Sequence, residues 1–340
     1  MKIALHYQKG DTMIIRKRTK PLILQKYEAL QARLPPNSPQ YQAIKQQVEL
    51  RTRGHQGELT VDHHFNILAP KFTIIQDACL TSNGQTFQID NLIISPHSIY
   101  IIEVKNFRAP ITFDTDLNQF TTDDGRKISG YKHPIAQVKA QQLKLQNWLY
   151  EHNQPNIPIY YFIAVSEPST LINVIGDHEK ISSIVQHGEH IPWKILDYEQ
   201  KQKNHPTYQH QKIGHFILKH CRDFDKDILE EWGIVPEQLV PGVRCRKCNR
   251  VGMEKVKWSW ICPRCGLADR QAANHSIDEY LMLVKPWLRN KEILNFLNIS
   301  SRYAVSRLLK NHPNLHYSEK RRRWEKKVNG FNKRYTLRSD

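Results

Sequence analysis

Residues 88–107 read QIDNLIISPHSIYIIEVKNF, with β-branched residues on both sides of a short polar break. Ile93, Ile94, Ile99, Ile101 and Ile102 flank Ser95–Ser98, a strand–turn–strand pattern. Folding the two strands symmetrically about Pro96–His97 sets Asp90 opposite Glu103, because both stand equally far from the turn. Residues two apart share a face, so Lys105 stands beside Glu103. The alternate face (Tyr100, Ile102, Val104) is apolar, as expected of a strand packed on both sides. Two carboxylates opposed across a hairpin destabilise it unless a counter-charge is present. Lys105 is one candidate, and a hard divalent cation held by oxygen ligands is the more effective one. The alternative is a solvated edge strand whose Asp, Glu and Lys form a surface ion pair, a reading that the flanking isoleucines oppose.

Helical periodicity surrounds the hairpin. Residues 21–53 read as helical, interrupted by LPPNSPQ, and are expected to form an arm packed on the core. Gly57 precedes a helix over LTVDHHFNIL, which puts Glu58 in a first helical turn. The bland account of Glu58 is an acid favoured there by the helix dipole. Pro134 opens another helix, whose apolar stripe includes Ile135, Val138, Leu145 and Leu149, with Gln137 in its first turn. Near the C-terminus, SIDEYLMLVKPWL, NKEILNFLN and SRYAVSRLLKNH read as three short amphipathic helices. A tight Ile-Ser step separates the last two, the spacing of a helix-turn-helix. LHYSEKRRRWEKKVNGFNKRYTLR then offers two strands around a basic loop, which looks like the wing of a winged helix.

Charge sharpens this division. The formal net charge of the 340 residues is +17, but residues 281–340 hold fifteen Lys/Arg against four Asp/Glu, and residues 244–270 hold eight against two. Residues 1–243 carry only +2. Such clustering is the footprint of a polyanion partner, expected to be nucleic acid. Arg302 and Arg307 would face a groove, with Lys320, Arg321, Arg322, Arg323, Lys326 and Lys327 near the nucleic-acid backbone. A solvated basic tail is the alternative, opposed by the regular apolar spacing that precedes it. No apolar run approaches the roughly 20 residues of a membrane span. The opening MKIALHYQKGDTM is too poor in apolar residues for a secretory signal, so the expected compartment is the cytoplasm and no membrane is engaged.

The cysteines add chemistry of their own. CRKC at Cys245–Cys248 and CPRC at Cys262–Cys265 form CxxC–x13–CxxC around the hairpin segment EKVKWSWI. Two such turns can direct four thiolates at one tetrahedral Zn²⁺, and the pattern looks like a zinc ribbon. Four thiolates leave no open coordination position, so this zinc is expected to be structural, with Arg244, Arg246, Lys247 and Arg250 presented outward. Cys79 and Cys221 lack near partners in sequence and read as core residues. Adjacent His63 and His64 point in different directions on a helix and read as structural or solvated. Neither a phosphate-cradling glycine loop nor a GxSxG elbow is present.

Four blocks in order, GELTVDHHF, FQID, YIIEVKN and HPIAQVKAQ, resemble the nuclease-related domain NERD of the PD-(D/E)xK phosphodiesterase superfamily, over roughly Met13 to Ser169. Ile89 stands where the superfamily name has proline, a backbone rather than a ligand position. MIIRKRTKPL resembles where related proteins begin, so the first twelve residues are expected to be a dispensable extension. The resemblance implies an α/β restriction-endonuclease-like core, a mixed central sheet flanked by helices. It implies that Asp90, Glu103 and the Val104 carbonyl, joined by Glu58, hold Mg²⁺ or Mn²⁺, that Lys105 orients water and stabilises charge, and that Gln137 positions water or the substrate phosphate. The expected organisation is a helical arm (1–50), a nuclease-like domain (51–240), a zinc ribbon (241–272) and a winged-helix-like module (273–340). The expected function is metal-dependent phosphodiester hydrolysis, with DNA the favoured substrate. The competing readings are a non-catalytic DNA-binding or regulatory protein that keeps the fold, and an RNA-processing nuclease.

Overall fold

The computed structural model describes residues 14–69 and 71–327. The expected N-terminal extension and the end of the wing segment beyond Lys327 lie outside the described residues. The chain divides into two compact units. One comprises the described residues up to Pro21 with Thr52–Phe224, the other Leu22–Arg51 with the described residues from Asp225 on.

The described residues begin with strand β1 (Ile14–Arg16) and two helices, α1 (Leu22–Arg33) and α2 (Tyr41–His64), and the boundary between the units falls inside α2. Strands β2 (Thr73–Ser82), β3 (Gln85–Ile94) and β4 (Ile99–Lys105) follow, then β5 (Ile111–Asp114), β6 (Gln119–Asp123) and β7 (Ile128–Gly130). Helix α3 (Pro134–Glu151) leads to β8 (Ile159–Val165), β9 (Ile172–Ile175), α4 (His178–Ile184) and β10 (Val185–His187). Helices α5 (Ile191–Lys201) and α6 (His210–His220) complete the first unit.

The main sheet has the order β1-β2-β3-β4-β8-β10, with the central hairpins antiparallel and β1–β2, β4–β8 and β8–β10 parallel. Helices cover both faces. Ile75, Ile89, Leu92 and Ile101 pack with Val138, Leu145 and Trp148 of α3 and Ile213 and Ile217 of α6. On the opposite face, Ile74, Ile93, Tyr100 and Ile102 pack with Val61 of α2 and Ile191 and Ile195 of α5. Burial on both faces explains the isoleucine-rich runs of β3 and β4. A second sheet, β7-β6-β5-β9, lies within the same unit.

The hairpin register runs Asn91↔Ile102 to Ile94↔Ile99, and the Ser98 N–H donates to the Ser95 hydroxyl at the turn. Continuing that register by one residue brings Asp90 opposite Glu103. The β2–β3 register, Gln76↔Asn91 and Ala78↔Ile89, carries the same row on to Asp77. Asp77 has φ 57°, the left-handed region, and the in–out alternation slips there. Ile75 and Ala78 share one core on β2, as Ile89 and Leu92 do on β3. Both strands slip in the same row, so the register survives while the row of acids is re-aimed.

The second unit corrects the expected domain plan. Residues 22–51 belong to the second unit and are not an arm of the first, and α1 packs on α8 (Ala272–Leu283). Fully buried Arg33 donates from Nε and Nη2 to Glu279 at 3.0 and 2.8 Å and from Nη1 to the Val240 and Gly242 carbonyls, each at 3.1 Å. Its guanidinium stacks 4.1 Å from the Phe296 ring centre. The C-terminal limit of the first unit falls at Phe224, not at 240, and short helix α7 (Ile228–Glu231) opens the continuation of the second.

Strands β11 (Glu254–Val256), β12 (Ser259–Ile261) and β13 (Ala268–Asp269) form an antiparallel sheet beside the cysteines. After α8 come β14 (Trp287–Leu288), α9 (Asn290–Phe296), α10 (Arg302–Lys310), β15 (Leu315–Ser318) and β16 (Arg323–Lys326), with sheet order β14-β16-β15. The first of the three expected helices therefore ends at Leu283, not Leu288. Pro286 cannot continue a helix, and Trp287 and Leu288 pair instead with Glu325 and Trp324. No helix of the described residues is long and apolar enough to cross a membrane.

Candidate active site and cysteine cluster

Glu103 lies on β4 inside the main sheet and is 3% exposed. A carboxylate in that position needs donors. Lys105 Nζ donates to its Oε1 at 2.7 Å and Gln137 Nε2 to the same oxygen at 2.6 Å, while Gln141 Nε2 reaches Oε2 at 2.8 Å. Lys105 Nζ also donates to Gln137 Oε1 at 3.0 Å. Gln137 and Gln141 are four residues apart on α3 and so lie on one face of that helix. Gln141 has no role in the expected site. Its signal was the four-residue spacing from Gln137, inside a block already recognised.

Asp90 takes the place of a ladder partner. Its Oδ2 accepts the Val104 N–H at 2.8 Å, and the backbone pairing of β3 with β4 stops one residue earlier. Ser166 N–H donates to the Lys105 carbonyl, so Lys105 turns its backbone groups toward β8. Val104, one residue earlier, therefore turns its N–H and carbonyl toward the Asp90 side. Burial of its carboxyl, then repulsion from Glu103 and Glu58, pushes Asp90 well above the usual carboxylate range, against the pull of the Val104 N–H and Arg18.

Glu58 faces the same site but from the interior of α2, not from a first helical turn. The helix runs from Tyr41 to His64, so Glu58 lies several turns from its start and the dipole account of Glu58 fails. Its Oε2 accepts from Arg18 Nη1 at 2.7 Å. Burial raises the Glu58 carboxyl above its ordinary range, Arg18 lowers it, and Asp77, Asp62 and Glu103 raise it further.

Arg18 itself escaped the sequence reading. Its side chain is 1% exposed, with Nε and Nη2 on the two oxygens of Asp62 at 2.8 and 3.2 Å and Nη2 also on the Asp90 carbonyl at 2.6 Å. It sits in the run RKRTK, where nothing local separates a buried arginine from solvated neighbours. The side chains named so far include five carboxylates (Glu58, Asp62, Asp77, Asp90, Glu103) and two cations, Arg18 and Lys105, while Arg16 lies 3.8 Å from Asp77.

Residues 53–166 match the family model of the nuclease-related domain, NERD. The matched segment contains Glu58, Asp90, Glu103, Lys105, Gln137 and Gln141, but not Arg18. An uncharacterized protein of Bacillus anthracis is 26% identical over 178 residues, which cover 52% of this chain and 80% of that protein. No solved structure matches the chain.

The oxygen donors of the NERD segment suit a hard divalent cation: two opposed carboxylates, a third approaching from α2, and a strand carbonyl turned to the same side. Glu58, Asp90 and Glu103 do not draw together as tightly as the cysteines. Among the described residues, the group of three or more His, Cys, Asp or Glu ligands that closes to within 4.8 Å is Cys245, Cys248, Cys262 and Cys265.

Those sulfurs fit a zinc ribbon. Cys245 and Cys265 Sγ are 3.6 Å apart, and Cys248 and Cys262 Sγ 3.5 Å, close to the roughly 3.8 Å edge of a tetrahedron with 2.3 Å metal–sulfur bonds. The two turns are built alike. Cys245 N–H donates to the Arg250 carbonyl and Cys262 N–H to the Leu267 carbonyl, and the residue after each second cysteine, Asn249 or Gly266, has positive φ. Not all of the neighbouring cations point outward. Arg244 is turned onto Glu279 and Asn249, whereas Arg246, Lys247 and Arg250 are exposed, Arg246 while donating to Asp269 at 3.1 Å.

Arg302 and Arg307 are exposed on α10, whose Val305 and Leu309 are buried. Lys320, Arg321, Arg322, Lys326 and Lys327 are exposed as well. Arg321 and Arg323 both donate to Glu325, at 3.2 and 2.6 Å, and Arg323 also stacks on Trp287. Lys327 Nζ donates to the Pro313 carbonyl. Two of the expected backbone-contacting arginines thus share one carboxylate.

Proposed function

We propose that the protein hydrolyses phosphodiester bonds in nucleic acid, DNA before RNA, with the cut made at the NERD segment. The observation that carries this reading is the Glu103 cluster, where a buried carboxylate, Lys105, Gln137 and Gln141 meet beside Asp90. Asp90, Glu103, the Val104 carbonyl and Glu58 would hold Mg²⁺ or Mn²⁺, which when bound makes water more acidic and neutralises phosphate charge. Gln137 and Gln141 fix the carboxylate plane of Glu103. Lys105, an ammonium already oriented by two acceptors, can donate to the attacking water or to the phosphate oxygen on which charge grows.

The second unit would supply affinity. Its α8-β14-α9-α10-β15-β16 order supports a winged-helix module in which Arg302 and Arg307 approach a groove and Lys320–Arg322 approach the backbone. Zn²⁺ on the four cysteines would hold the ribbon together, in a reducing compartment such as the cytoplasm. A non-cutting nucleic-acid-binding protein is the second reading, favoured by the pairing of Glu58 with Arg18 and the loose gathering of the three carboxylates.

Incubation with DNA and RNA of single-stranded, duplex and branched form, in Mg²⁺, Mn²⁺ or EDTA, separates these readings. Metal-dependent cutting is expected, with Lys105→Ala binding nearly normally but cutting on the order of 100-fold slower. Affinity should fall steeply with salt, and neutralising Lys320–Arg322 should flatten that slope. Tight binding without cutting on any substrate would favour the second reading.

A further inference from the structure

Arg18 is the buried cation in this site that the hydrolytic reading does not use. Its guanidinium is enclosed by oxygens: Glu58 Oε2 at 2.7 Å, Asp62 Oδ2 at 2.8 Å and Oδ1 at 3.2 Å, and the Asp90 carbonyl at 2.6 Å. Two carboxylates and a backbone carbonyl make a shell of the kind that a hard divalent cation takes. The arginine is anchored in it from behind, since its own N–H donates to Gln76 Oε1 at 2.7 Å. Asp90 lies between two such shells. Its carbonyl serves Arg18, while its carboxylate bonds Val104 and faces Glu103.

We propose that the Arg18 guanidinium stands in the place of a second cation, so that the site takes one divalent ion, on the Asp90–Glu103 side, and not a pair. Hydrolytic sites with two metals hold them roughly 3.5–4 Å apart, bridged by shared ligands. Here Asp90 is the shared residue, and the neighbouring position is filled by a group that keeps its charge at any pH at which the protein folds. Asp62, outside the set of expected ligands, completes that filled position by gripping Arg18 with both oxygens. The inference rests on the metal-dependent reading of the NERD segment and adds the number of ions.

The test is a count of Mn²⁺ bound to the zinc-loaded full chain, read by electron paramagnetic resonance above the background of Asp90→Asn. About one ion per chain is expected. Arg18→Gln, which removes the charge and leaves both carboxylates, is expected to take two. Arg18→Lys keeps a cation without the forked geometry and is expected to stay at one, a difference that a merely structural role would not produce. Two ions in the unaltered protein, one in folded Arg18→Gln, or two in Arg18→Lys would each overturn the proposal. Should Arg18→Gln not fold, the count in the unaltered protein decides between one and two. No ion above background in that protein would instead overturn the metal-dependent reading itself.

Discussion

Gly54 and Gly57 lie three residues apart on α2, yet the same substitution should act on them in opposite directions. A glycine inside a helix is about 1 kcal/mol less favourable than alanine, so propensity alone makes both changes stabilising. At Gly54 an added Cβ meets nothing within 4 Å, and Gly54→Ala should stabilise by nearly that full amount. At Gly57 the Cβ would lie 2.6 Å from Asn106 Cβ, 2.7 Å from Ser166 Oγ and 2.9 Å from Asn106 Cγ. Ordinary contact begins near 3.4 Å, so the helix or its neighbours must retreat by about 0.8 Å. Neither neighbour is loose, because Asn106 Nδ2 donates to the Arg53 carbonyl at 2.7 Å and Ser166 N–H to the Lys105 carbonyl at 3.0 Å. Overpacking of this kind costs about 1–3 kcal/mol, which exceeds the propensity gain and leaves a net loss of roughly 0–2 kcal/mol. Glu58 is the next residue, and a displacement of about 1 Å at a reacting centre can cost up to ~100-fold in rate. Urea denaturation, with the amides of β4 followed by hydrogen exchange to isolate this unit, gives the two stabilities, and a cleavage assay gives the rates. If Gly57→Ala stabilises as much as Gly54→Ala, α2 does not rest on the strand ends as described. The account of how Glu58 is placed would then be wrong.

Two further outcomes follow from the same geometry. Asp90 has a raised carboxyl in the folded protein, so the metal-free folded state keeps a proton that the unfolded chain has released. Stability should therefore fall as pH rises from about 4, its ordinary value, toward the raised folded value, and Asp90→Asn should flatten that fall. Melting temperatures in EDTA across pH read it, and an undiminished slope in Asp90→Asn would refute the cause assigned. Elemental analysis should find about one zinc per chain, lost in Cys248→Ser and Cys265→Ser together with protection of the ribbon amides. Undiminished zinc in the double variant would remove the four cysteines as its site.

Much of the sheet was legible because a strand repeats every two residues and a turn fixes the count. The Asp90–Glu103 opposition needed only Ser95–Ser98 and the flanking isoleucines, and the observed register agrees with it when continued by one residue. The four sulfurs were legible for a similar reason, since each CxxC turn is local and the two are joined by one short hairpin. Helix ends were less so. Glu58 reads as the start of a helix only if the helical stretch before it is ended near residue 53, whereas the fold carries that helix straight through Gly54 and Gly57.

The residues that neutralise the buried charges could not be found by pattern. Arg18 and Arg33 each sit in segments that read as solvated or as plain helix, and become buried only when Asp62 and Glu58, or Glu279, arrive from elsewhere in the chain. The sequence by itself determined the register of the Asp90–Glu103 hairpin and the thiol set, because each depends on periodicity and short turns. Tertiary structure alone decided which cation answers which acid and which unit helix α1 joins. Burying a charge has a cost that only a partner at about 3 Å removes, and contacts at that distance link residues such as Arg33 and Glu279 whose separation no local rule describes.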